Sequence, residues 1–145
     1  MKDVREALMI GRNTEGKLVR RPISPFMLGS AYKPQMSSMT SIMHRITGCA
    51  LGVGTILLSY WLVSAAAGDG AYSIAEAILG SWVGILILFG FTAALFYHFC
   101  NGIRHLAWDA GKGFELPDLH RNGNTVIGAT AVLTIAFWAL VYFIW

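Results

Sequence analysis

Charge is scarce in this sequence. Asp, Glu, Lys and Arg make up 13% of its 145 residues, against about 25% in a soluble globular chain. So few charges cannot coat a globule of this size, which argues against a soluble enzyme. Cysteine is scarcer still: Cys49 and Cys100 both sit in apolar stretches and have no CxxC spacing. That excludes a disulfide framework and offers no zinc site, leaving two plain buried thiols. No internal repeat or low-complexity tract occurs. What fills the chain instead is apolar, 55% of the residues with a mean hydropathy of +0.55. A disordered tail is excluded, there is room for one ordinary domain, and the membrane is the natural solvent.

Three stretches lack any Asp, Glu, Lys or Arg: 46–68, 77–103 and 122–145. Each reaches the roughly 20 residues that an α-helix needs to cross a bilayer core. The first begins too late for a cleaved signal peptide. The expected architecture is therefore all-α, a cytoplasmic arm over 1–36 and a three-helix anchor over 37–145, with helices near 38–67, 74–108 and 124–145. Gly68-Asp69-Gly70 breaks the chain after the first span, and Ser73-Ile74-Ala75-Glu76 reads as a capping box opening the second. Gly48-x-x-x-Gly52 and Gly80-x-x-x-Gly84 have the spacing that lets helix backbones approach in lipid, although Gly is frequent in membrane helices anyway.

The bases set an orientation. Residues 1–45 carry eight of the eleven Lys and Arg and three acids, and the other three bases lie within 104–121. The 68–76 loop carries none. The positive-inside rule then puts the N-terminus and the second loop in the cytoplasm, and the first loop and C-terminus outside. Tyr60, Trp61, Trp82 and the stretch from Trp138 to Trp145 would lie toward the outer face, with Trp108 at the inner one. A basic arm can also signal nucleic acid, but these bases are scattered among Pro, Met and Ser and lead into an apolar run. A membrane flank is the better reading, with no nucleic-acid partner.

Two polar clusters remain at the cytoplasmic ends of the first two spans. In Ser41-Ile42-Met43-His44-Arg45-Ile46-Thr47-Gly48, residues 41, 44, 45 and 48 share one helical face. They offer a hydroxyl, an imidazole and a guanidinium to a carbonyl oxygen or a carboxylate-bearing cofactor. Taken alone, Arg45 would be a snorkelling lipid anchor. The second cluster runs from Tyr97-His98 through Asn101-Gly102-Ile103-Arg104-His105 to Trp108-Asp109. His98 lies about 10 Å deeper than His105, and an ionisable residue inside a span is a functional hypothesis by default. Ala94 and Gly102, a turn away on either side, leave clearance for a flat macrocycle. The plainer alternative is a neutral histidine bonded to a neighbouring helix. Seven residues is nearly two turns, so His98 and His105 point the same way and cannot both ligate one haem iron. A sixth ligand would come from a partner subunit, with His105 a structural or propionate contact, Arg104 a propionate contact and His120 solvated. Antiparallel packing would bring both clusters to one membrane level.

Arg21-Pro22-Ile23-Ser24-Pro25, Tyr32-Lys33-Pro34-Gln35, Ser41-x-x-His44-Arg45-x-Thr47-Gly48 and His98-x-x-x-Gly102-Ile103-Arg104-His105-Leu106-x-x-Asp109 follow in order. This set resembles the cytochrome b subunits of succinate dehydrogenase, membrane anchors of respiratory complex II in their alphaproteobacterial or mitochondrial form. The resemblance covers 20–113 by motif and the third span by position. It implies a four-subunit assembly serving the tricarboxylic acid cycle and respiratory chain. In it a flavoprotein oxidises succinate, an iron–sulfur subunit carries electrons, and two anchors hold haem b and the ubiquinone site. It implies that His98 is an axial ligand of the haem iron, that His44 lies beside the haem propionates, and that Ser41 and Arg45 line the quinone pocket. Arg45 would also meet a propionate. It implies a multi-pass protein of the bacterial cytoplasmic membrane, ahead of the mitochondrial inner membrane. Phe26 departs from the family's usual Ser-Pro-His, and the stretch before Tyr32 is about two residues longer than the pattern. The competing readings are a haem-free structural anchor, a quinol:fumarate reductase anchor, or a transporter subunit binding an anion at Arg45 and Arg104.

Overall fold

The computed structural model describes residues 10–20 and 34–144. The Arg21–Pro25, Phe26 and Tyr32–Lys33 motifs, and Trp145, lie outside the described residues. A short antiparallel hairpin comes first, β1 Ile10–Arg12 against β2 Leu18–Arg20, with Ile10 opposite Arg20. Its loop is closed by Asn13, whose Oδ1 accepts from Glu15 N at 3.1 Å and Lys17 N at 2.9 Å. Gly16 follows at φ +79°, a conformation that suits glycine. This hairpin is the one departure from an all-α chain among the described residues.

Four helices follow: α1 Met36–Ala67, α2 Asp69–Leu79, α3 Trp82–Asp109 and α4 Leu116–Ile144. Three of them, α1, α3 and Pro117–Ile144 of α4, are long and apolar enough to cross a membrane. The second span does not open at the expected capping box. Gly68, at φ +106°, ends α1, and α2 starts at once with Asp69 in its first turn, where a carboxylate favours the helix dipole. Ser73 therefore sits inside α2, its hydroxyl donating to Gly70 O at 3.0 Å rather than capping. The chain breaks again at Gly80-Ser81, and Ser81 caps α3 by accepting from Gly84 N at 3.1 Å. The helix expected over 74–108 is thus two helices. At the far end of α3, Gly111 at φ +75° ends the span, with its amide and that of Lys112 bonded back to Trp108 O and Ala107 O.

The burial pattern is that of a protein turned inside out. Among the described residues only Ala75 and Val126 are buried apolar side chains, whereas Thr40, Thr47, Ser64, Asn101, Arg104 and Thr134 are buried polar ones. Leu, Ile, Val and Phe side chains of all three spans face outward. In water that order would squander the hydrophobic driving force. In lipid the outside is itself apolar, and association rests on packing and interhelical hydrogen bonds. The cysteines follow the same logic: Cys49 is exposed and Cys100 half-buried, so the expected burial fails for Cys49.

The glycine pairs divide. Gly48 faces the His98 ring, while a Cβ at Gly52 would meet nothing. The close backbone approach comes instead at Gly54, where the Phe91 ring occupies the space of a side chain, and at Gly123, against Met36. Gly80 and Gly84 serve the α2–α3 break, where a Cβ would run into the carbonyls of Glu76, Ile78 and Leu79. They are not a helix-packing face.

Candidate functional site

The start of α1, the end of α3 and the start of α4 meet in one polar layer. His44 of α1 and His98 of α3 stack with ring centroids 3.9 Å apart and planes 9° from parallel. The His105 ring is the other ring contact of His44, with centroids 5.1 Å apart, and Trp108 stands edge-on to His105 at 5.0 Å. The Arg104 guanidinium rests 4.2 Å above the Trp108 ring, a cation–π contact that is strongest where water is excluded. The two sequence clusters are therefore one site, as antiparallel packing required.

Arg104 is the hub of the layer. Only 5% exposed, it donates from one terminal nitrogen to Thr40 Oγ1 at 2.7 Å and to Asn101 Oδ1 at 3.4 Å, and from the other to Leu119 O at 3.4 Å. It thus ties α3 to both α1 and α4. Tyr97 adds a hydroxyl bond to Thr40 O at 3.1 Å. A cavity of about 340 Å³ opens beside this network, lined by Ser37, Ser38, Thr40 and Ser41 of α1 and by Arg104, His105 and Trp108 of α3. Two buried nitrogens of this layer, His44 Nδ1 and Arg104 Nε, have no hydrogen-bond partner among the described residues.

Arg45 does not join Ser41, His44 and Gly48 at the α1–α3 contact. It is exposed and makes no bond to any described residue, although its spacing suggested a common face. The contact line runs through Thr40, His44, Thr47 and Gly48, and each residue turns the helix by 100°, which carries Arg45 onto the flank. Ser41 is half-buried in the cavity wall, and His120 is exposed. Nor do the described residues form any cluster of three His, Cys, Asp or Glu suited to a bare metal ion.

Thr40 enters the site unforeseen, and Thr47, Asn101 and Trp108, which lie within the two clusters, enter it without having been given a role. Asn101 carried a signal, being an uncharged polar residue inside a span midway between His98 and Arg104. The threonines carried none, because a hydroxyl bonding back to its own helix is ordinary.

His98 passes a direct test of fitness for haem iron. Its Nδ1 lies 3.1 Å from His44 O, and a carbonyl can only accept, so the proton is on Nδ1. Nε2 is then the free lone pair, with no hydrogen bond to any described residue. A ligating histidine normally donates its other nitrogen in this way. The ring is seated against Gly48, where a Cβ would lie 3.0 Å from Cε1. Gly48→Ala is therefore expected to lower the haem-to-protein ratio of the purified complex, and Gly52→Ala to leave it unchanged.

A bundle of three apolar spans that sets half-buried histidines beside a buried arginine has the build of a membrane-anchor subunit. Residues 17–137 match the succinate dehydrogenase/fumarate reductase transmembrane subunit family. The chain is 41% identical over 115 residues to the succinate dehydrogenase cytochrome b556 subunit of Paracoccus denitrificans, covering 79% of this chain and 87% of that one. It is 37% identical over 119 residues to the same-named subunit of Rickettsia conorii (82% and 91% covered). It is 35% identical over 132 residues to the mitochondrial cytochrome B subunit of Schizosaccharomyces pombe (85% and 69%). The chain belongs to this family: it is a multi-pass membrane subunit of succinate dehydrogenase.

Proposed function

We propose that this anchor binds haem b and ubiquinone and passes electrons from the iron–sulfur subunit of succinate dehydrogenase to the quinone. The observation that carries the reading is the bonding of His98, donor at Nδ1 and free at Nε2, the form in which imidazole ligates iron. When bound, haem supplies one-electron redox chemistry, tuned by its ligands and burial. A second ligand to the haem iron would come from a second anchor subunit, since His105 sits on the same side of α3 as His98. His44 Nδ1 and Arg104 Nε, buried without partners, suit the carboxylates of the macrocycle. Ser41 donates its hydroxyl to a quinone carbonyl from the cavity wall. Arg45, on the flank this chain leaves open, supports negative charge on the reducing quinone and meets a propionate. The relatives' name, cytochrome b556, agrees with haem.

The hydrogen bonds of His98 to α1 also serve the haem-free structural anchor. A reduced-minus-oxidised spectrum of the purified complex separates the two: a low-spin b-type signal is expected, and a flat trace means a structural histidine. The arm over 1–36 lies on the cytoplasmic side of the bacterial membrane in this reading, with the anchor over 37–145. A reporter fused within 69–72 is expected to read as external and one within 111–115 as cytoplasmic. The reverse pattern would overturn the orientation.

A further inference from the structure

We infer that Thr47 is a positioning residue for the iron ligand, its hydroxyl oxygen sharing with the His44 carbonyl the Nδ1 proton of His98. The inference rests on the haem reading and goes beyond it, to what holds the ligand in its metal-ready form.

Thr47 is 7% exposed, on the α1 face that meets α3. Its Oγ1 lies 2.9 Å from Met43 O and 3.0 Å from His44 O, both of which only accept. A hydroxyl has one proton and two lone pairs. With the proton spent on its own helix, Thr47 can turn only a lone pair toward His98 Nδ1, 3.3 Å away. His44 O, at 3.1 Å from the same nitrogen, has only lone pairs too. Nδ1 is met by two acceptors, and the tautomer with Nδ1 bare would face both with a lone pair of its own. The proton is pinned to Nδ1 and Nε2 is kept open.

The same turn of α1 fixes the ring in space. His44 stacks on one side at 3.9 Å, and Gly48 admits the Cε1 edge. Positions 44, 47 and 48 therefore set the plane, the tautomer and the depth of His98. A second acceptor on Nδ1–H also makes Nε2 a stronger donor to iron, and such outer hydrogen bonds are one lever on haem potential. The carbonyl alone would hold the tautomer. Thr47 adds donor strength and closes off rotation of the ring.

Thr47→Val keeps the branched shape and deletes the acceptor, whereas Thr47→Ser keeps the acceptor. Thr47→Ala, also lacking it, is run alongside so that a packing fault in the valine variant does not decide the result. In the purified complex, Thr47→Val and Thr47→Ala are expected to raise the haem midpoint potential. They should shift the low-spin ferric EPR signal and weaken haem retention about 10-fold, the scale usual for such outer partners. Thr47→Ser is expected to track the wild type in all three. Wild-type potential and EPR in both acceptor-less variants, or equal changes in Thr47→Ser, would overturn the inference and make Thr47 a packing residue. A low-spin spectrum that survives His98→Leu unaltered would instead sink the haem assignment itself, so the two failures are told apart.

Discussion

Replacing His98 by Leu is expected to abolish or alter the low-spin bis-histidine spectrum of the succinate dehydrogenase complex. The effect is large because, among the described residues, only the His98 ring has one nitrogen against a backbone carbonyl of another helix and the other left open for a metal. His105 lies near the end of α3 on the same side as His98, and His120 is exposed. His105→Leu should at most shift the spectrum, through its contacts with His44 and Trp108, and His120→Leu should leave it unchanged. Partial haem retention in the His98 variant is compatible with the assignment, because a partner ligand and propionate contacts remain. An unaltered low-spin spectrum is not. His44, stacked 3.9 Å away with its Nδ1 unpaired, would then be the ligand to test. Leu also deletes the hydrogen bond to α1, worth about 1 kcal/mol, so assembly is checked by co-purification of the other subunits.

Run lengths made the three spans legible, because a bilayer demands about 20 residues without charge whatever the neighbours are. The meeting of His44 with His98 was legible for a related reason: antiparallel spans with polar ends on one side place those ends at one level. Arg45 was not. Spacings of three and four residues identify a face but not which edge of it a second helix covers, and Thr40–His44–Thr47 proved to be the covered line. The break at Gly80-Ser81 was hidden inside an unbroken apolar run, since hydropathy is blind to a serine cap. The loop Asn13-Thr14-Glu15-Gly16 does carry turn residues, but three-residue strands are too short for any alternation to show. Arg104 was read as a propionate contact at the edge of the site; that it also ties three helices together is something only its partners on α1 and α4 reveal.

Ser41→Ala and Arg45→Leu should impair electron transfer from succinate to quinone while leaving succinate oxidation with an artificial acceptor largely intact. The split follows from where the two groups act. In the proposed reading succinate is oxidised on a different subunit, and neither residue belongs to the described network that holds this bundle together. Arg45 is exposed and bonds to none of the described residues, and Ser41 lines the cavity. Reduction of a quinone adds two electrons and two protons, so negative charge builds on its oxygens before the protons arrive. A neutral hydroxyl bond is worth about 0.5–1.5 kcal/mol, and a bond to a charged group about 1.5–3. That is roughly 2- to 10-fold in rate for Ser41→Ala and 10-fold or more for Arg45→Leu. Arg45→Lys should recover part of the loss, since it restores the charge but not the planar fork. The ratio of quinone to artificial-acceptor activity in the same membranes is the deciding measurement. If both activities fall together in proportion to lost complex, Ser41 and Arg45 serve assembly or lipid anchoring, and the quinone must be held elsewhere along the Arg104 cavity.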